Sequence, residues 1–443
     1  MARSRLEVRM QDAVGRPRAF RLIRWRLIAL LLSLVAVPAV IGVGLALRAS
    51  GAGDESWAKQ LASVEEEKGL LLGTLTLLET ELGLAGDDIE LEPLIPLPTL
   101  ESEPAIGVAL ARVNRAVAVD GVALSLNGKP TGGPVDVWWM KDGLGLAGGQ
   151  ALPDDLTFTA SSGVVVGGIG TLPGSVRLAW TQDQILVIND VPMERYLEAV
   201  VSSEVPDSWS LEAKKAQSVA ARSYALARLH RQTGPFAVES STLDQVYRLG
   251  MTDPGAARAV DATRGQILSG DGVLVEAYYH SNCAGHTEAA AVVWPERGAI
   301  DDWSVPCDYC GGSPSRDWQH HLTLGEMGQA VAREHPELAT ITSLELLGRT
   351  GSDRVRGVQL AGPEGALLLT GNEFRRIFGY TRVRSTWFDI DEVDGGLQLT
   401  GRGSGHGVGM CQWGAQGMSR EGMDHEAILA HYYGGATLHT AYE

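Results

Sequence analysis

The residues best suited to chemistry are one glutamate and two cations that follow it closely. Glu204 lies in Val200-Val-Ser-Ser-Glu-Val-Pro206, on a short turn between two helical patterns. Lys215 and Arg222 come eleven and eighteen residues later. They are seven residues apart, which is two helical turns, so the spacing predicts that they share one helical face. Long cations on such a face can hold the hydroxyls or carboxylates of a substrate.

A lone glutamate favours one kind of glycosidic chemistry. Ordinary glycosidases use two carboxylates, one as acid and the other as base or nucleophile. One carboxylate is enough where the sugar's own C6 hydroxyl attacks and closes a 1,6-anhydro ring, because the same group first donates and then accepts a proton. The alternative is that Glu204 is a solvated surface residue and that Lys215 and Arg222 form an exposed helical face.

A second polar element lies far downstream and is rich in glycine. Its sequence is Gly405-His-Gly-Val-Gly-Met-Cys-Gln-Trp-Gly-Ala-Gln-Gly417. No Lys-Ser/Thr pair follows these glycines, so a phosphate cradle is not indicated. Aromatic and amide side chains suit sugars, although core packing and loop turns use them as well. The candidate substrate-binding residues are Tyr224, Gln245, Tyr247, His406 and Gln412.

The cysteines and histidines suggest a metal. A CxxH at 283–286 and a CxxC at 307–310 have the ligand spacing of a four-coordinate structural zinc. The predicted ligands are Cys283, His286, Cys307 and Cys310, with His280 in reserve. No open coordination position is needed, so we expect a structural zinc and a reaction that needs no cofactor.

Other uses of the cysteines remain open. A disulfide is the main alternative in an oxidising exterior, but three clustered cysteines would leave one thiol unpaired. Cys411 could act as a nucleophile with His406, although such chemistry needs a supporting geometry that the sequence does not reveal.

The elements that must position these residues come in mixed order. Short apolar runs broken by glycine predict strands between residues 106 and 188, including Val135–Trp139, Gly163–Val166 and Gln184–Ile188. The pattern predicts a helix from Met193 to Val201, stopped by Pro206, and another from Leu211 to about His230. Strands then return at 265–279 and 341–369, and Asp424 is expected to cap a last helix. Without βαβ periodicity, this order predicts an α+β fold.

The N-terminal segment predicts a membrane anchor. The first 26 residues contain eight arginines and two acids, and the 21 residues Leu27–Leu47 contain no charge. Such a run spans roughly 31 Å, about one bilayer core. The arginines place the N-terminus in the cytoplasm and the rest outside. A cleaved signal peptide is the alternative, but its apolar region is usually only about 7–15 residues long.

The charge of the chain changes sign after the arginine-rich first 26 residues. Beyond residue 26 there are 29 basic and 52 acidic residues, a formal charge of −23. This excess of acid excludes the basic surface that nucleic-acid binding needs. Residues 48–105 have the composition of a helical stalk followed by an acidic, proline-rich linker.

Two segments carry a resemblance to a known family. Ser203-Glu-Val-Pro206 with Val219-Ala-Ala-Arg-Ser-Tyr-Ala225, together with the 405–417 element, resembles the SpoIID/LytB family, named for stage II sporulation protein D. Its members include lytic transglycosylases that cut peptidoglycan glycan strands. The resemblance implies that Glu204 is the acid/base and that Lys215 and Arg222 support it. Some relatives carry a bound zinc.

The resemblance and the composition together predict five segments along the chain. It comprises a cytoplasmic tail (1–26), a transmembrane anchor (27–47), a stalk and linker (48–105), a β-rich region (106–180) and a SpoIID-like catalytic domain (181–443). The resemblance implies a transglycosylase outside the cytoplasmic membrane that acts on glycan strands stripped of stem peptides. The alternative is a non-catalytic glycan-binding enhancer of a cell-wall amidase. A zinc-dependent wall hydrolase would need an open metal site, which the CxxC set disfavours.

Overall fold

The structure is a computed structural model that describes residues 92–443, apart from 141–142, 147–148, 154, 182–183, 242–243, 251–252, 295–302 and 315. The predicted tail, the anchor and the stalk up to residue 91 lie outside the described residues. Within the described ranges, no helix has both the length and the apolar character needed to cross a bilayer. Leu91–Glu443 form one compact unit.

The described chain mixes strands and helices, as the α+β prediction requires. The strands are β1 Ala105–Val113, β2 Ala116–Asp120, β3 Ser125–Leu126, β4 Lys129–Pro130, β5 Val135–Met140, β6 Gly143–Leu146, β7 Asp155–Thr159, β8 Val164–Val166, β9 Gly170–Leu172, β10 Ser175–Thr181, β11 Gln184–Pro192, β12 Val238–Glu239, β13 Gln266–Gly270, β14 Val273–Leu274, β15 Tyr279–His280, β16 Asp317–Leu322, β17 Ser343–Arg349, β18 Val355–Gly362, β19 Gly365–Thr370, β20 Phe388–Val393, β21 Gly396–Arg402, β22 Met410–Cys411 and β23 Thr437–Thr440. The helices are α1 Met193–Glu204, α2 Leu211–His230, α3 Pro254–Ala262, α4 Ala290–Val293, α5 Leu324–Val331, α6 Gly371–Phe378, α7 Gln412–Arg420 and α8 His425–Tyr432. Single 3₁₀ turns occupy Cys310–Gly312 and Pro336–Leu338.

The β-rich region contains two sheets that share a core. One has the order β12-β1-β11-β10-β7-β3-β4 and the other β6-β5-β2-β8-β9. Alternation decides which side chains face this core: Val117 and Val119 of β2 are buried, whereas Ala118 between them is exposed. The predicted domain boundary at 180/181 falls in the β10–β11 hairpin, so strands on both sides of it belong to one sheet.

Helix α1 follows β11 directly and ends at Glu204. The segment before it, Asn189 to Pro192, is the end of β11, and Pro192 is the N-cap. Val205 precedes a proline, which disfavours helical backbone, and it is extended with φ −128° and ψ 145°. Glu204 therefore stands where the helix stops. Helix α2 runs from Leu211 to His230, as predicted.

Two features near the C-terminus bear on the site. Residues 317–402 form an insert module with two three-stranded sheets, β16-β21-β20 and β17-β18-β19, around their own apolar core. Beside it, the parallel pairing of β15 with β22 places His280 opposite Cys411. This pairing brings the 405–417 element next to the segment around Cys283.

Candidate active site

Glu204 lies between donors from two distant segments. Its Oε1 accepts a hydrogen bond from the Val246 backbone N–H at 3.0 Å. Its Oε2 accepts one from Gln412 Nε2 at 3.1 Å. Gln412 Nε2 also lies 3.4 Å from Oε1 of Gln217 on α2. The predicted glutamate and the predicted amide are thus in direct contact.

The environment of Glu204 suits an acid. Burial raises the pKa of its carboxyl above the ordinary value, and the bonds from Val246 and Gln412 and the charge of Arg248 oppose this only in part. The residue as a whole is only partly buried. A carboxyl with a raised pKa keeps its proton closer to neutral pH, as a general acid must.

Three predicted sugar-binding residues are part of the packing around this carboxyl. Tyr224 Oη donates to Asp244 Oδ1 at 2.7 Å. Gln245 is buried, accepts from Tyr196 Oη at 2.7 Å and donates to the Ala221 carbonyl at 3.1 Å. Tyr247 is also buried, and its hydroxyl lies 3.0 Å from Asn189 Oδ1. Their polar groups already have protein partners, so the structure places them as supports of the site.

Arg222 is not beside Glu204, and the expectation that it supports the acid needs correction. Its guanidinium is fully buried and makes two hydrogen bonds to Glu194, at 3.0 and 2.7 Å. Glu194 is ten residues before Glu204 on α1, which is about 15 Å along the axis. Helical spacing on α2 could not show that the side chain of Arg222 is sealed in the core.

Lys215 lies in a different environment from Arg222. Its Nζ donates to Glu212 Oε1 at 2.8 Å, and Glu212 Oε2 also accepts from the His425 backbone. Although burial raises the pKa of Glu212, these bonds bring it down to about 2. No described hydrogen bond or ion pair joins Lys215 to Glu204, so its predicted catalytic role has no contact to support it in this structure.

Sequence reasoning missed the cation that does influence Glu204. Arg248 is exposed, follows Tyr247 directly, and its charge lowers the pKa of Glu204. Gln217 on α2 was also missed as a site residue, although it lies close to Gln412. Its Nε2 is buried and has no hydrogen-bond partner in the described part of the chain.

His406 lies in an aromatic cluster. Its ring centroid is 5.0 Å from that of Trp294, 5.6 Å from His280 and 6.1 Å from Tyr278. Burial lowers the pKa of His406 well below its ordinary value, and His280 lowers it further, so the ring is neutral. His406 Nδ1 accepts from the Val408 backbone at 3.0 Å. The structure shows no contact between His406 and Cys411, so it gives no support for a nucleophile pair.

The four cysteines form one buried cluster. Their Sγ atoms all lie within 4.8 Å of one another, and Cys283 Sγ is 3.7 Å from Cys310 Sγ. A zinc ion with four sulfurs at about 2.3 Å would separate the sulfurs by about 3.8 Å. The Sγ of Cys411 also accepts from the backbone N–H groups of Cys283 and Gly414, both at 3.3 Å. All four thiols are free, so the donor set fits a tetrathiolate metal centre.

His286 is not part of this cluster, which corrects the predicted ligand set. Its Nδ1 lies 2.7 Å from the Thr287 carbonyl and 3.3 Å from Ser304 Oγ. The reserve ligand His280 lies instead 3.0 Å from the Val408 carbonyl. Cys411 completes the cluster because β22 pairs with β15, which places His280 opposite Cys411 across 131 residues of sequence that a local motif cannot reveal.

Comparison with known proteins identifies the family. The model of the stage II sporulation protein family, SpoIID, matches residues 181–269, and that of a domain of unknown function, DUF8618, matches residues 315–409. An uncharacterized protein of Brachyspira hyodysenteriae is 31% identical over 295 residues, which are 64% of this chain and 76% of that protein. The chain belongs to the SpoIID family.

Relatives in Bacillus subtilis match less closely. Stage II sporulation protein D is 28% identical over 292 residues, 61% of this chain and 80% of that protein. The amidase enhancer is 28% identical over 286 residues, 55% of this chain but only 40% of that protein. Membership of the SpoIID family supports a role connected with the cell wall. The DUF8618 match covers the whole insert module, residues 317–402.

Proposed function

We propose that the protein is a lytic transglycosylase that cleaves peptidoglycan glycan strands, with Glu204 as its acid and base. The observation that carries this proposal is the partly exposed Glu204 carboxyl, whose pKa is raised by burial and whose two oxygens are held by Val246 and Gln412. Glu204 protonates the glycosidic oxygen as positive charge develops on the muramic sugar. The resulting carboxylate then accepts the proton of that sugar's C6 hydroxyl, which closes the 1,6-anhydro ring.

The carboxylate nearest in sequence to the Val246 donor does not supply the second group that hydrolysis uses. Asp244 lies two residues before Val246, but its oxygens accept from Tyr224 Oη at 2.7 Å and from the Glu239 backbone at 2.8 Å. Arg228 Nε also lies 3.4 Å from it. A carboxylate held by three partners is poorly placed to activate water or attack a sugar, which favours the single-acid reaction.

Mass spectrometry of digested glycan strands tests this function. Strands freed of stem peptides are incubated with the full chain, and their new ends are identified as 1,6-anhydro or reducing. Glu204→Gln should lower the rate about 10²–10⁴-fold, which is the usual contribution of a general acid. Glu198→Gln is the matched control, because Glu198 lies on the same helix in a half-exposed pair with Arg195. Reducing ends, or cleavage that survives Glu204→Gln, would overturn the proposal.

A second candidate function rests on the match to the amidase enhancer. In that function the chain binds glycan and stimulates a cell-wall amidase without cutting the strand. Amidase assays with wild type and Glu204→Gln distinguish the two candidates. Equal stimulation by both proteins, with no glycan cleavage by either, favours the enhancer.

We also propose that Cys283, Cys307, Cys310 and Cys411 hold a structural zinc. When bound, zinc would supply a crosslink between three distant segments of the chain. Cys411 is followed directly by Gln412, so a ligand bond at one residue fixes the backbone of the residue that contacts Glu204. One equivalent of zinc in the purified chain, lost in Cys411→Ser and kept in His286→Ala, is the expected result.

We further propose that the protein is held at the outer face of the cytoplasmic membrane by residues 27–47. The uncharged run and the preceding arginines support this placement. Fractionation of cells that produce the full chain, compared with a chain that begins at residue 51, tests it. Release of only the shortened chain from the membrane fraction is expected.

A further inference from the structure

Arg354 is a fully buried cation that the proposed reaction does not use. It lies in the insert module, at the end of the turn that precedes β18, and is only 1% exposed. Its Nη2 donates to the Cys283 carbonyl at 2.7 Å and lies 3.4 Å from the His286 carbonyl. The guanidinium thus reaches out of the module and bonds to the backbone of a metal-ligand candidate.

The guanidinium also packs against the glycine-rich loop. Gly407 has φ 90°, and a Cβ atom at this position would lie 2.6 Å from Arg354 Cζ. Any side chain at residue 407 would therefore displace Arg354. The loop backbone and the arginine fit together only because residue 407 is glycine.

Two of the three nitrogens of this guanidinium lack a hydrogen-bond partner. Nε and Nη1 are buried and have none within the ranges that the structure describes. An isolated buried cation is costly unless negative charge lies near it. The nearby carboxylate of Glu288 favours the charged form of Arg354, which burial disfavours. Because Nη2 donates to the Cys283 carbonyl at 2.7 Å, the guanidinium also lies directly beside the backbone of the cysteine cluster.

A tetrathiolate zinc centre has the charge that would balance this cation. Four thiolates around a divalent ion carry two net negative charges in a buried site. We infer that Arg354 is the counter-charge of the four-cysteine centre, by which the insert module stabilises the metal-loaded state of the SpoIID core. This inference rests on the proposed zinc. It gives the insert module a function, which is to stabilise the zinc-loaded four-cysteine centre.

Glu288 is the competing counter-ion. It is 3% exposed, and its Oε2 already accepts from Thr350 Oγ1 at 2.5 Å and Ser352 Oγ at 2.7 Å. If Glu288 alone balanced Arg354, loss of the arginine would weaken the metal-free and the loaded protein equally. If the thiolates balance the charge of Arg354, removal of the arginine should weaken mainly the zinc-loaded protein.

Zinc affinity of the full chain, purified in detergent and measured by competition with a chelating dye, tests the inference. Arg354→Met should bind zinc about 10–100-fold more weakly, the usual effect of changing a residue that supports metal ligands. Arg356→Met is the matched control, since Arg356 lies two residues away and half-buried, with Nη2 3.3 Å from the Arg349 carbonyl. Its zinc affinity should stay within twofold of wild type.

A second pair of variants separates charge from shape, and it also serves if Arg354→Met does not fold. Arg354→Lys and Arg354→Gln both keep a donor for the Cys283 carbonyl, but only lysine keeps the charge. Lysine should retain zinc affinity within a few-fold of wild type, and glutamine should lose it as methionine does. Equal losses for lysine and glutamine would overturn the inference.

Thermal unfolding with zinc and with chelator completes the test. Arg354→Gln should lower the melting temperature more in the loaded state than in the metal-free state. Equal shifts would assign the counter-charge to Glu288 and overturn the inference. If wild type binds no zinc, both the metal proposal and this inference fail. If it binds zinc and Arg354→Met binds equally well, only the role of Arg354 fails, and glycan cleavage by Glu204 is measured independently.

Discussion

Two glutamates on α1 lie ten residues apart and have opposite environments. Glu194 accepts from Nε and Nη2 of Arg222, from Tyr442 Oη at 2.6 Å and from the Gly265 backbone at 3.2 Å. Among the described residues, Glu204 accepts hydrogen bonds from two neutral donors, and the charge of the exposed Arg248 lowers its pKa. The same side chain on one helix is thus a buried anion paired with an arginine at one end, and a carboxyl with a raised pKa at the other.

The contrast arises from what each end of the helix packs against. Glu194 is in the first turn of α1, where the helix dipole also favours an anion. Glu204 ends the helix, where the dipole disfavours one and where Pro206 turns the chain away. A buried carboxyl at a helix C-terminus, with no cation hydrogen-bonded to it, keeps its proton more readily, which is the property that an acid catalyst needs.

The largest expected effect comes from breaking the sealed pair. Arg222→Met leaves Glu194 buried without its cation, so the free energy of unfolding should fall by about 3–5 kcal/mol. Lys215→Met on the same helix removes only a partly exposed pair with Glu212 and should cost about 0–1 kcal/mol. Urea denaturation measures both. An Arg222→Met chain that is as stable as wild type but does not cleave glycan would show that Arg222 acts at the site after all.

The sequence predicted those features of the site that neighbouring residues define, and it missed those that depend on contacts between residues distant in sequence. The position of Glu204 at a helix end and the bounds of α2 were predictable because Pro206 and the local helical pattern define them. The ion pair of Arg222 was not predictable, since its partner Glu194 lies 28 residues earlier on a different helix. Helical spacing gives the direction of a side chain but not what covers it.

The cysteine cluster shows the same limit over a longer distance. Cys307 and Cys310 were predictable as ligand candidates from their CxxC spacing. Cys411 lies 101 residues after Cys310, beyond the insert module, and joins the others only through the β15–β22 pairing. The CxxH spacing favoured His286, which hydrogen bonds elsewhere. The fourth member of the cluster is therefore determined by the pairing of two strands that are distant in sequence.

A smaller effect should appear in the pH dependence of stability. Because burial raises the folded-state pKa of Glu204 above the ordinary value of 4.5, the folded protein holds this proton more tightly than the unfolded chain. The free energy of unfolding therefore falls as pH rises from about 4.5 through the higher folded pKa, by about 1.4 kcal/mol for each pKa unit between the two.

Glu204→Gln should remove this fall, whereas Glu194→Gln should destabilise the protein over the whole range because the Arg222 cation loses its anion. Urea denaturation at a series of pH values compares the three proteins. A wild type that gains stability over the same interval would mean that the folded-state pKa of Glu204 is lowered, and that the two ends of α1 do not differ as the contacts indicate.

The smallest effect concerns the amide that holds Glu204. Gln412→Leu removes a donor that lowers the pKa of Glu204, so the acid should stay protonated to higher pH and the alkaline limb of the glycan-cleavage profile should move upward. Arg248→Met should move it in the same direction.

The two variants differ in their response to salt, because the charge of the exposed Arg248 is screened within about 3 Å at 1 M salt, whereas a hydrogen bond at 3.1 Å is not. High salt should therefore erase the difference between wild type and Arg248→Met while leaving that of Gln412→Leu intact. A Gln412→Leu profile that coincides with wild type, in a chain that retains its zinc, would mean that Gln412 faces the substrate and not the acid.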